Sequence, residues 1–340
     1  MNGERKSGML SPGQAAFLWL LPLVTAVLAL GIGRLWISPG DIFQSVAAKF
    51  GGSAALSQQA EKVLWTIRMP RVFMALLVGA GLSVSGCAFQ SLFANPLATP
   101  DTLGVASGAS FGAALALLLG MGMLGVQATA LLFGIAAVAL TWLSCAGRER
   151  TTGTVVLAGI MVGSFFSALV SIVKFLADTE SQLPSITFWL MGSFNTAGYP
   201  TLALGLPPIA VGIAVLLLLR WRMNVLPLAD DEARATGTNM RALRLVTVVC
   251  ATMITASCVS MCGQVGWVGL LVPHICRMKF GNNHLALLPA SISIGAAFMV
   301  AVDTVARSAS SAQIPISALT AVIGAPVFIV LIRKTGGWRL

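Results

Sequence analysis

The chain has 340 residues, 57% of them apolar and only 9% charged, against roughly 45–50% and 25% in ordinary soluble domains. A mean hydropathy of +0.89 is an average over the whole chain, so it does not come from a single anchor. Too few charges remain to coat a water-soluble surface, and 11 carboxylates with two histidines leave little for acid–base chemistry; the chain reads as an all-α polytopic membrane protein. The net charge of +10 is read as topology and not as a nucleic-acid surface, because Lys and Arg collect on cytoplasmic loops.

In chain order, a basic start (residues 1–14) leads into an apolar run without a small-residue cleavage site, so it reads as a cytoplasmic tail before a retained first helix. A span needs about 20 apolar residues. About ten are predicted, at 15–36, 72–92, 103–125, 126–146, 154–176, 199–219, 242–260, 264–277, 285–303 and 316–332. The stretches near 93–112 and 186–198 read as broken or partly inserted helices. With both termini inside, 14 of the 21 basic residues fall on inner segments and 7 on outer ones, which favours an N-in, C-in arrangement. The whole of 1–340 reads as one transmembrane domain. The six cysteines lie in or beside apolar stretches with no CxxC pair and read as small core residues.

Gly79, Ser83 and Gly86 recur at spacings of four and three, which predicts a face where helices approach closely. Gln90 follows, a polar amide within a span that must find a partner or line a wet cavity. The segment from Ala94 to Ser110 carries Pro96, Pro100 and several glycines, which forbid a regular helix near the membrane unless protein or a water-filled cavity satisfies its backbone. The inner loop 220–241 contains Asp230, Asp231, Glu232, Ala233 and Arg234 ahead of Gly237, a short capped helix by its charge and glycine pattern. On the outer side Arg68, Arg71 and Arg307 sit where the positive-inside bias would not place them, with Asp303 one turn before Arg307; headgroup contact is the bland alternative. His274 reads as a packed or interfacial residue and His284 as a loop residue. Neither has a second ligand at metal spacing, so no metal site is expected.

No GxxxxGK[ST] phosphate loop occurs, so any ATP must be hydrolysed by another chain. An intramembrane enzyme would need a nucleophile and base or a metal motif, and neither is present. A gradient-driven transporter would need ionisable residues at mid-membrane, where only Asp303 and Lys174 come near.

The motifs IRMPR (67–71), GAGLSVSGCAFQ (79–90), NPLATPDTLG (95–104), LAG (157–159), WLMGSF (189–194), VGWVGLLVPHICR (265–277), DTVAR (303–307) and GAPVF (324–328) occur together in this order. The chain thereby resembles the FecCD-type permeases of type II ABC importers, which carry iron-siderophores, haem, cobalamin and sometimes molybdate. The resemblance implies a ten-helix subunit of the bacterial inner membrane with no cofactor of its own. Its implied partners are a second permease chain (identical or a paralogue), a periplasmic or lipoprotein substrate-binding protein, and ATPase subunits that hold the ATP and Mg. It further implies docking of the binding protein through Arg68, Arg71 and Arg307, and coupling to the ATPase through 230–237. Gate or pathway roles are expected for Gln90, Asn95, Leu97, Thr151 and Thr152. The family's commonest cargo makes ferric siderophore the first expectation. One departure is visible: Gln313 stands where the family often has a carboxylate.

Overall fold

The computed structural model describes residues 10–33, 35–49, 56–145, 152–309 and 313–334, and among these the regular structure is entirely helical. Helix α1 (Pro12–Gly31) opens on a capping box, in which the Ser11 hydroxyl accepts from Gln14 N (3.3 Å) and Gln14 Oε1 accepts from Ser11 N (2.9 Å). Proline at its first position lacks only an N–H that the helix would leave unpaired anyway. Short helices α2 (Pro39–Ala48) and α3 (Gln58–Lys62) follow, the latter running through a widened π-type turn (Val63–Arg68) into α4 (Met69–Leu92). Gln58–Leu92 is thus one 35-residue helix. The widened turn sits just before Pro70, whose ring clashes with a standard preceding turn and whose nitrogen cannot donate; Met69 N reaches back five residues to Leu64 O instead.

Next come α5 (Val105–Leu118), α6 (Met123–Ser144), α7 (Thr152–Leu176), the short α8 (Gln182–Leu190), α9 (Tyr199–Leu219), the short α10 (Asp230–Ala235), α11 (Met240–Cys262), α12 (Val268–Phe280), α13 (His284–Ala309) and α14 (Ile316–Lys334). Each of the ten predicted spans has a helix. Seven of these are long and apolar enough to cross a membrane; α5 and α14 are shorter apolar helices, and α12 has 13 residues.

The boundaries differ from expectation where glycine intervenes. The break predicted over 93–112 ends at Gly104, whose left-handed φ of 76° lets a regular helix start at Val105. The break near 186–198 is confined to the residues after α8, where Gly192 takes φ 71°. Between α11 and α12, Gly263 (φ 74°) and Trp267 (φ 69°) delay the eighth span to Val268.

Helix α4 is central: 83% of its apolar window is buried, against 22% for α7, which lies at the periphery. The predicted small-residue face makes the contacts. A β-carbon on Gly79 would strike Gly295 O and Met299 of α13, and one on Gly86 would strike the backbone of Gly269 in α12. The six cysteines are buried and unpaired. Helices α7 and α14 present apolar residues outward, among them Leu157, Ile160, Phe165 and Phe175 on α7 and Val322 and Ile329 on α14.

Candidate functional site

Polar side chains gather at both ends of α4. At the outer end, by the charge bias, Arg71 is buried and fully engaged. Its Nε donates to the two oxygens of Asp303 (2.9 and 3.1 Å), and its Nη2 lies 2.8 Å from Asp303 Oδ1. Nη1 donates to Asn195 Oδ1 (3.1 Å) and Gln313 Oε1 (2.8 Å). Arg68, also buried, donates through Nη1 to the carbonyls of Leu30 (2.6 Å) and Gly31 (3.1 Å) and through Nη2 to that of Leu35. Arg307 donates to Ala29 O, and its Nε lies 3.7 Å from Asp303 Oδ2.

The three arginines, expected to dock the binding protein at the outer face, have their guanidinium groups engaged within this chain. They point inward because the last carbonyls of α1 have no partner within their own helix and because Asp303 is a buried anion that needs a cation. Asp303, one turn before Arg307, reaches it at 3.7 Å, and its closer partner is Arg71 of α4 at 2.8 Å. Gln313 accepts from Arg71 as a carboxylate would but brings no charge, so the guanidinium groups of Arg71 and Arg307 share the one carboxylate of Asp303, while Arg68 is held by backbone carbonyls. Sequence reasoning had singled out Gln313 as a departure but had not seen Asn195.

At the inner end, Gln90 is buried: its Nε2 donates to Gly269 O (3.2 Å), and its Oε1 accepts from Arg277 Nη2. Of the two places open to it, a partner or a wet cavity, the side chain takes the partner. The partner that a polar amide within a span requires is α12, and Arg277 could not be read from sequence because it lies 187 residues away along the chain. Beyond α4 the chain turns at Ala94 (φ 46°), where Asn95 N donates to Gln90 O (3.0 Å) and Asn95 Oδ1 accepts from Leu97 N (2.9 Å). Asn95 and Leu97 are exposed, Leu97 by 45%. The segment then folds back: Leu103 O accepts from Thr141 Oγ1 (3.1 Å), and Asp101 Oδ1 accepts from Ala106 N (2.9 Å) at the start of α5. Thr151 lies outside the described residues, and only the backbone of Thr152 is described.

His284, expected in a loop, is buried at the first position of α13. Its Nε2 lies 2.6 Å from Ser91 Oγ, and its Nδ1 lies 2.8 Å from Asn224 Oδ1. His274 packs edge-on to Phe328 at 5.5 Å, as a packed histidine should. No group of three His, Cys, Asp or Glu side chains that could hold a metal occurs among the described residues.

In the inner loop, α10 forms as its pattern predicts. Asp231 and Glu232 are exposed, Ala233 is fully buried, and Gly237 takes φ 71° with open space around it. Only the backbones of Asp230 and Arg234 are described. Ala233 thus faces this chain's own core, while the two carboxylates face out.

The FecCD transport family matches residues 20–334. The molybdate import system permease protein MolB of Haemophilus influenzae is 43% identical over 93% of this chain and 94% of its own length. A probable iron chelatin transport system permease of Helicobacter pylori strain 26695 is 36% identical over 81% of this chain and 83% of its own. A solved inward-facing structure assigned to the metal-chelate type of ABC transporter has a TM-score of 0.86 at 41% identity, covering 95% of this chain and all of that one. Helix order, the ten spans and a match that runs almost from end to end agree: the chain belongs to the FecCD transport family, as a multi-pass inner-membrane permease subunit of an ABC importer whose ATPase is a separate subunit.

Proposed function

We propose that this permease imports a molybdate-type oxyanion, handed over at its outer face by a binding protein and released inward when ATP is hydrolysed on the partner subunit. The observation that supports this cargo is the 43% identity to a molybdate permease across nearly the full length of both chains. Ferric siderophore, the first expectation from sequence, is kept as the second reading on the strength of the iron chelatin relative. Proteoliposomes holding the complete complex, offered radiolabelled molybdate, a ferric siderophore and cobalamin in parallel, are expected to accumulate molybdate. Accumulation of a chelate with no molybdate uptake would reject the oxyanion reading.

In this reading two permease copies meet through the apolar faces of α7 and α14, and Asn95 and Leu97 close the inner end of the axis against their counterparts, with Thr151 and Thr152 nearby. Arg68, Arg71 and Arg307 support the outer docking face from within, by holding α1, α4 and α13 together. The ATPase seats on the 220–241 loop, contacting the exposed side of α10. Reversing Asp231 and Glu232 to Arg is expected to weaken ATPase association about tenfold, since two exposed charges reversed together amount to about 1–2 kcal/mol. Pull-down of the ATPase with the subunit reads this directly, and unchanged recovery would make the loop a mere connector. Gly237→Val should act in the same direction, because a β-branched residue in the left-handed region costs about 1–2 kcal/mol and would misplace the helix end.

A further inference from the structure

His284 joins three elements that the sequence keeps far apart. One is the turn Arg222–Val225, four residues before α10. Another is the last turn of α4, three residues before the left-handed Ala94 that begins the gate segment. The third is the start of α13, which His284 itself opens. Asn224 Oδ1 accepts both from His284 N (2.9 Å) and from the ring at Nδ1 (2.8 Å). The Asn224 amide is held in that orientation because its Nδ2 donates to Asn283 Oδ1 (3.1 Å), which also accepts from Leu285 N (3.0 Å).

These bonds fix the tautomer. An amide oxygen only accepts, so the ring proton sits on Nδ1 and the neutral ring leaves Nε2 as an acceptor. The Ser91 hydroxyl lies within reach of two acceptors, Nε2 at 2.6 Å and Cys87 O at 3.0 Å, and with its single proton turned to the nearer one it donates to Nε2. The result is a directed line of hydrogen bonds running from Ser91 through His284 to Asn224 and Asn283. Its members have little room to shift: His284 and Ser91 are buried, as are Met223 and Val225 on either side of Asn224. The same turn of α4 is gripped again at Gln90, whose carbonyl accepts from Asn95 N (3.0 Å). A hydrogen bond at 2.6–2.9 Å is largely lost when stretched by an ångström. Movement of the Arg222–Val225 turn must therefore either carry Ser91 with it or leave a buried imidazole with an unpaired nitrogen, which is costly.

We propose that His284, with Asn224 and Ser91, is a positioning unit that transmits movement of the α10 loop to the gate segment at Asn95 and Leu97. The proposal rests on the permease reading above but not on the identity of the cargo. A merely structural histidine would affect stability alone, whereas a transmitting one affects how the gate follows the ATPase.

The test uses the complete complex in nanodiscs, with a nitroxide label on Ala235→Cys at the end of α10 in one sample and on Leu97→Cys in another, and ATP with vanadate as the trigger. In the otherwise unaltered protein both labels should change mobility on ATP. In Ser91→Ala and in His284→Ala the Ala235 label should respond as before. The Leu97 response should fall about fivefold, the shift in population that one lost hydrogen bond of about 1 kcal/mol produces. If His284→Ala fails to assemble, Ser91→Ala decides, because it removes a single hydroxyl. A full Leu97 response in Ser91→Ala, or in a His284→Ala complex that does assemble, overturns the proposal. No ATP response at either label in the unaltered complex would instead refute the permease reading itself, and the proposal with it.

Discussion

Replacing Asp303 by alanine is expected to destabilise the subunit by about 3–5 kcal/mol, the range for removing one partner of a buried ion pair. The size follows from what is left behind. Arg71 would keep only the neutral acceptors Asn195 and Gln313, and Arg307 would lose its nearest carboxylate. Three guanidinium groups would then remain at the outer end of α4 without the carboxylate that two of them contact. Thermal unfolding of the purified subunit in detergent should show a midpoint lower by about 10 °C. The double variant Arg71→Leu/Asp303→Leu should recover the part of the loss that belongs to Arg71, since its charge and desolvation cost go together, while Arg307 still lacks its carboxylate. An Asp303→Ala protein as stable as the parent would mean that water or anions reach these arginines, and the outward-facing docking role would regain its footing.

Gly86→Leu is expected to prevent assembly of a stable subunit. At this position the neighbour is the backbone of Gly269, and backbone cannot rotate aside as a flexible side chain can. Overpacking a well-filled core typically costs about 1–3 kcal/mol, and a branched side chain against another helix's main chain lies at or beyond the upper end. Separation of α4 from α12 would also break the hydrogen bond from Gln90 to Gly269 and the one it receives from Arg277. Gly13→Leu is the control, because nothing lies within 4 Å of the β-carbon it would introduce. Size-exclusion profiles of the two variants in detergent should diverge, with Gly86→Leu aggregated and Gly13→Leu monodisperse; a monodisperse Gly86→Leu would show that α4 and α12 can part without cost.

Much of this protein is written locally. Hydropathy placed the ten helices because the bilayer imposes a length and an apolar composition on any span. The helix-spaced Gly79, Ser83 and Gly86 showed where neighbouring helices come closest, and Gly237 after an acidic start showed where α10 ends. Those features depend on residues within a few turns of each other. The polar side chains behaved otherwise. Arg68, Arg71 and Arg307 carry the same local signature whether they face a partner or a neighbouring helix, and only the arrival of Asp303, Asn195, Gln313 and the end of α1 decided that they face inward. Gln90 declared that it needed a partner but not which one, and His284 read as a loop residue until α4 and the Arg222–Val225 turn closed around it. In a membrane a polar group is satisfied by whichever donor or acceptor the packing brings within about 3 Å. The sequence alone determined the spans, their close-packed faces and the family, whereas the assignment of each buried polar group to its partner was decided by the tertiary structure.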